Sequence, residues 1–150
     1  ALIGFNGPVS YEGEAACWLE FMAGSEVLEP GIRYSLEWLR EDKIISCGSM
    51  VYGIVNDLHE GVSAKEISRR YHRTLVQGLV EIVEMISSSG GDKMLVALTG
   101  GSFQNQHLLK GVYNLLKQKD YDVLINKQVP ANDGGIALGQ LYVAGMKLQE

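Results

Sequence analysis

Two stretches decide how this chain is read: VALTGGSFQNQHLL at residues 96–109 and QVPANDGGIALGQL at residues 128–141. Each sets two adjacent glycines where an apolar run meets a helical pattern. The first follows MLVAL (94–98), which reads as a strand, and opens a helix from about Ser102 to Lys119. The second follows the strand-like DVLI (122–125) and a loop containing Pro130, and opens a last helix from about Asp133 to Leu148. Strand-helix-strand-helix predicts a parallel pair joined by a crossover helix, in an α/β fold. Parallel strands leave the sheet at one edge, where ligands of open α/β sheets gather, so both glycine turns are expected there.

Working outward, SAKEISRRYHRTLVQGLVEIVEMISSSGG (63–91) predicts a long helix with Ile67, Tyr71, Leu75, Leu79, Ile82 and Ile86 on its buried stripe. Ser63 and Glu66 form a capping box, and Gly90-Gly91 stops the helix. A shorter helix runs from Ser49 to about His59 and closes at Gly61; another starts in YEGEAACWLEFMAG (11–24) and stops at Gly24. The first presents Ala15, Ala16, Leu19 and Met22 at helical spacing. IRYSLEWL (32–39) alternates Ile32, Tyr34, Leu36 and Trp38 and reads as a half-buried strand that REDK (40–43) turns back into IIS.

At 150 residues the chain is expected to form one domain, long enough to bury roughly 70% of its unfolded surface. Thirteen basic residues against 18 acidic ones give a net charge of -5, with the basic residues scattered, which argues against nucleic acid or an anionic membrane as the main partner. Cys17 and Cys47 have neither C-x-x-C spacing nor a neighbouring His cluster, so they read as buried or indifferent thiols in a reducing compartment. Without an apolar run of ~20 residues or a signal peptide, the expected location is the cytoplasm. The chain opens without Met and runs directly into what reads as mid-domain sequence, as a piece of a longer polypeptide would.

The residue types at the two turns suit an anion. Gly100 and Gly101 lack a Cβ, so their N–H groups can approach a phosphate closely, and Ser102 is placed to cap the next helix. A tight structural turn accounts for the same glycines. Asp133 reads either as a cap of the last helix or as a carboxylate ligand for a hard metal ion beside a phosphate. Glu12 and Glu14 flank Gly13 at the start of the first helix, where acids favour the macrodipole or can meet ribose hydroxyls. His59, His72 and His107 lack metal-ligand spacing and read as structural; no nucleophile constellation is present.

Taken in order, VSYEGEAACWLE (9–20), SRRYHRTL (68–75), VALTGGSFQNQHLL and QVPANDGGIALGQ closely resemble the C-terminal part of the HypF carbamoyltransferases that mature [NiFe] hydrogenases. The resemblance implies an ASKHA architecture, that of actin, Hsp70 and sugar kinases: a mixed sheet with parallel strand-helix-strand units flanked by helices. The chain would be the second lobe of a two-lobed domain, with the upstream lobe of the same polypeptide as its partner. It further implies ATP and carbamoyl phosphate as substrates, carbamoyl-adenylate as the activated species, and the C-terminal Cys of a HypE-like protein as acceptor, for cyanide-ligand synthesis. The implied phosphate contacts fall on Gly100 and Gly101 and the nucleotide contact on Asn105. Gly134 belongs to the same nucleotide-binding phrase, and Glu12 and Gly13 lie near the nucleoside.

Asp133 falls on the implied ligand of a divalent metal (Fe, Zn or Mg), which two histidines of an upstream H-x-x-x-H phrase complete. Thr99, Ser102 and Ala131 stand where the family usually has Ser, Val and Pro, small changes that remove no implied role. The histidine phrase and the first phosphate loop have no counterpart in this chain. Two other readings share these residues: a nucleotide-binding or assembly lobe without turnover of its own, and an antibiotic O-carbamoyltransferase acting on a small-molecule hydroxyl.

Overall fold

The computed structural model describes residues 2–25, 31–39, 44–88 and 95–148, in two compact units divided after Ile86. In the first unit, α1 (Glu14–Ala23) ends at Gly24, β1 (Glu37–Leu39) pairs antiparallel with β2 (Ile44–Ser46), and α2 (Gly48–His59) leads through a turn into α3 (Ala64–Ser88). The turn uses Gly61 at φ 75, and Ser63 Oγ accepts the Glu66 N–H at 3.3 Å, so Ser63 is the expected helix cap. The Glu66 carboxylate pairs with Arg70 and Arg73. REDK and Gly90-Gly91 lie outside the described residues.

The strand expected over 32–39 is regular only at 37–39, and Ile32 is exposed while Tyr34 is buried. The physical reason lies in α3. Of the expected stripe only Ile67 is fully buried; Tyr71, Leu75, Leu79 and Ile82 are half-buried, and Ile86 is exposed. Buried on α3 beside Val76 and Val80 are Ser68, His72 and Thr74, polar residues that each hydrogen-bond a backbone group. Thr74 Oγ1 accepts the Tyr34 N–H at 2.8 Å, Ser68 Oγ donates to Leu19 O at 2.6 Å, and Arg69 Nε donates to Ala23 O at 2.8 Å. His72 engages Ser68 O through Nδ1 at 2.8 Å, the structural role expected of it. Tyr34, Met50, Ile54 and Ile67 form the apolar core beside this seam.

Close packing at Tyr34 has a measurable consequence. A Cβ on Gly53 would stand 2.7 Å from the Tyr34 ring, which is pinned at both ends, by Thr74 at its N–H and by Asp57 Oδ2 at its hydroxyl (2.6 Å). A Cβ on Gly78 would meet only Leu36 Cδ1, at 2.5 Å, the end of a half-buried side chain that can turn aside more readily than the pinned ring. Ala in place of helical Gly gains ~1 kcal/mol, whereas overpacking costs ~1–3 kcal/mol. Gly53→Ala is therefore expected to lower Tm by a few degrees in thermal unfolding followed by circular dichroism, and Gly78→Ala to leave it unchanged or raise it.

In the second unit, β3 (Leu95–Leu98) and β4 (Asp122–Ile125) are parallel, in register from Leu95 opposite Asp122 to Leu98 opposite Ile125. The crossover between them is α4 (Gln106–Gln118), which buries Leu108, Gly111, Val112 and Leu116, one face at helical spacing. Short 3-10 turns, Gly101–Gln104 and Asp133–Gly135, precede α4 and α5 (Ile136–Lys147) respectively. Every residue of α5 is at least partly exposed. This is a mixed α/β fold with one parallel and one antiparallel pair among the described residues, the fold class that the glycine turns predicted.

Candidate functional site

Because β3 and β4 end side by side at Leu98 and Ile125, the segments that follow them meet. The Gly100 N–H donates to Ala131 O at 2.8 Å and ties the two glycine turns together. Gly100 holds φ 99, a conformation that suits only glycine, and its carbonyl accepts the Phe103 N–H at 3.0 Å to start the 3-10 turn.

This geometry redistributes the roles. The Gly100 amide is used within the fold; the Gly101 and Ser102 amides have no acceptor among the described residues and both residues are exposed. Ser102 does not cap α4. The 3-10 turn moves the helix start to Asn105, whose Oδ1 accepts from His107 N at 3.0 Å and Leu108 N at 3.1 Å. Asn105 thereby holds α4 against the turn that carries the open amides. At the second turn Asn132, not Asp133, is the cap: its Oδ1 accepts the Gly134 N–H at 3.1 Å, and its carbonyl accepts the Gly135 N–H at 3.0 Å. Sequence reasoning missed Asn132, although Asn two residues before the paired amide is a usual signal for such a turn.

With Asn132 as cap, the Asp133 carboxylate is exposed and has no hydrogen bond or ion pair among the described residues. Gly134 has room for a Cβ except toward Asn132 Oδ1 at 3.1 Å, whereas a Cβ on Gly135 would stand 2.9 Å from the Pro130 carbonyl. Gly135 is thus the glycine that the loop's close approach requires. Beside the junction lies an open cavity of about 440 Å³, lined in part by Phe103, Gln104, Asn126, Lys127, Pro130 and Ala131.

Glu12 and Gly13 belong to the first unit. Gly13 is left-handed at φ 87 and precedes α1, and Glu12 is exposed. The neighbouring Glu14 carboxylate accepts the Ser10 N–H and hydroxyl at 2.6 and 2.9 Å, and these donors hold it below the usual carboxylate range. Cys17 and Cys47 are both exposed free thiols. Among the described residues no three His, Cys, Asp or Glu side chains converge as a metal site, and no helix is long and apolar enough to cross a membrane.

Residues 1–140 match the family described as the carbamoyltransferase Kae1-like domain, second subdomain. The chain belongs to this family. This Kae1-like subdomain is similar to the carbamoyltransferase HypF of Rhodobacter capsulatus (33% identical; 93% of this chain, 17% of the relative). It is similar also to that of Synechocystis sp. (29% identical; 93% and 17%). Among solved structures it matches a full-length HypF in the phosphate- and nucleotide-bound form with a TM-score of 0.85 and 34% identity, over 99% of this chain and 19% of that one. The T.kodakarensis HypF matches with a TM-score of 0.74 and 25% identity, over 96% and 18%. The Kae1-like subdomain thus spans less than a fifth of the length of these relatives.

Proposed function

We propose that this subdomain forms one wall of the carbamoyl-adenylate site of a HypF-type carbamoyltransferase. The observation that carries the reading is the Gly100–Ala131 hydrogen bond, which gathers at a single sheet edge two amides and one carboxylate that have no partner among the described residues. The Gly101 and Ser102 N–H groups take a phosphate, and Asn105 and Asn132 hold the backbone that presents them. As the adenylate forms and breaks, negative charge grows on phosphate oxygens, where preorganised amides stabilise it. Glu12, Gly13 and Gly134 are assigned to the nucleotide. The similar full-length HypF holding phosphate and nucleotide supports this assignment.

A divalent metal, Fe, Zn or Mg, fits Asp133 as one oxygen ligand, with the rest of its shell supplied from outside this chain; bound there, it neutralises phosphate charge. In the whole protein the carbamoyl group comes from carbamoyl phosphate and passes from the adenylate to the C-terminal Cys of a HypE-like acceptor. The HypF names of the relatives favour that acceptor over a small-molecule hydroxyl. This chain alone, with one metal ligand and half of a site, is the lobe without turnover of its own.

The test uses carbamoyl phosphate-dependent ATP–pyrophosphate exchange. The chain alone should show none, and the polypeptide carrying both subdomains should show it. Gly101→Ala in that polypeptide is expected to lower exchange by about 10-fold or more, since a misplacement of ~1 Å costs on the order of 10²-fold. A Cβ at Gly101 meets no protein atom within 4 Å, so the fold itself should not respond. Unchanged exchange in Gly101→Ala would remove the phosphate from this turn.

A further inference from the structure

Two of the four phrases that resemble the HypF family, VSYEGEAACWLE (9–20) and SRRYHRTL (68–75), lie in the first unit, and side chains of the second reach the helix that the first begins. That helix, α1, is held mainly at its C-terminal end. Ala23 is its one buried residue, whereas Ala15, Ala16 and Cys17 are exposed. Phe5 meets the Trp18 ring in mid-helix with centroids 5.7 Å apart, an apolar contact that tolerates sliding. The last carbonyls of a helix lack intrahelical donors. The Phe21 carbonyl takes the Gly24 N–H at 3.2 Å, and the Ala23 carbonyl takes Arg69 Nε at 2.8 Å. One turn earlier the Leu19 carbonyl takes the hydroxyl of the wholly buried Ser68 at 2.6 Å. No basic residue stands in the last turn of α1, so Arg69 brings from α3 the cation that favours its negative end.

We infer that Ser68 and Arg69 are positioning residues that clamp the end of α1 and thereby fix Glu12 and Gly13 at its start. Leu19 and Ala23 are four residues apart, one above the other on a single face of α1. Two adjacent residues of α3 hold them, so both the place and the tilt of α1 are set, where a single bond would leave a pivot. Gly13 leads directly into α1 in a left-handed conformation and has no side chain to anchor it, so its position follows the helix. A helix of 10 residues is about 15 Å long, and a tilt of about 4° about its far end moves its start by ~1 Å, the scale at which misplacement costs on the order of 10²-fold in rate. The inference rests on the assignment of Glu12 and Gly13 to the nucleotide for its effect on the reaction; the clamp itself is read without any substrate.

The two cysteines of the chain make that reading direct. Cys17 lies on α1 and Cys47 immediately precedes α2, and both thiols are exposed, so nitroxide labels on them report the distance between the two helices by pulsed electron paramagnetic resonance. The chain should give one narrow distance peak. Ser68→Ala and Arg69→Gln should each lose it to a broad distribution, and Arg69→Lys, which keeps an N–H donor and the charge, should restore it. A peak that stays narrow in both Ser68→Ala and Arg69→Gln overturns the inference. In the polypeptide carrying both subdomains, the same two variants should raise the KM for ATP by about 10-fold, the cost of one hydrogen bond to a charged group, and leave the KM for carbamoyl phosphate as it was. A role in stability alone would lower kcat through the amount of folded enzyme with both KM values unchanged, and that result overturns the inference. Glu12→Gln is measured beside them: if it leaves the KM for ATP unchanged while the labels report a freed α1, the nucleotide assignment of Glu12 fails and the clamp stands.

Discussion

Replacing Asp133 by Asn in the enzyme carrying both subdomains is expected to lower carbamoyl transfer by ~100-fold or more, and metal occupancy with it. The change is nearly isosteric, and in the proposed site it would remove one negative charge from the shell of a dication whose charge stabilisation would be worth several kcal/mol, each 1.36 kcal/mol being a factor of ten. The fold gives little reason for any other effect. Asn132 already caps the turn through Gly134, and the Asp133 carboxylate is exposed and without a hydrogen bond or ion pair among the described residues. Thermal stability should therefore remain as it was. Metal analysis beside single-turnover transfer to the acceptor checks the claim, and a variant with full metal content and near-normal transfer would leave Asp133 without a role.

The second large effect is on stability. Asp57 is buried, and its two oxygens hold the Tyr34 hydroxyl at 2.6 Å and Arg70 Nη1 at 2.8 Å; Arg70 and Arg73 both reach Glu66. Asp57→Ala leaves a largely covered guanidinium short of one carboxylate and strands a phenol. Removing one partner of a buried pair costs about 3–5 kcal/mol; Arg70 keeps Glu66 and some solvent contact, so ~3 kcal/mol is expected here. That is a large share of a typical 5–15 kcal/mol, and urea unfolding should show the midpoint fall with the slope unchanged. Asp57→Leu combined with Arg70→Met should cost less than the sum of the single changes, since neither charge is then orphaned.

The same cluster sets an alkaline limit. Burial first, and then the Asp57 hydrogen bond and charge, raise the Tyr34 pKa above its ordinary 10.0. The unfolded chain then loses this proton before the folded one, so the folded state binds more protons above pH 10 and stability falls as pH rises from there. Asp57→Asn removes the charge and should shallow that fall.

Much of the second unit was legible in residues 94–148. Apolar runs of four or five bounded by glycine, asparagine and proline are short-range signals, and one crossover helix leaves the strands little choice but to lie parallel. That order by itself brought the two glycine turns to one edge. The sequence did not show which groups the fold would use up once there. The Gly100 amide goes to Ala131, Asn105 takes the cap expected of Ser102, and Asn132 rather than Asp133 caps the 3-10 turn before α5. Each of those bonds depends on how one backbone segment approaches another.

In the first unit the distance between signal and structure is larger. Asp57, Arg70 and Tyr34 are separated by 13 and 23 residues along their bonds, so no local pattern announces them. The irregular 31–36 segment drew Thr74 into the core because an unpaired N–H must find an acceptor, and periodicity counts only apolar side chains. For α5 the sequence determined a helix, with Lys147 its one charged residue. Its lack of cover is a property of the tertiary structure, since burial depends on which other surfaces are present to exclude water.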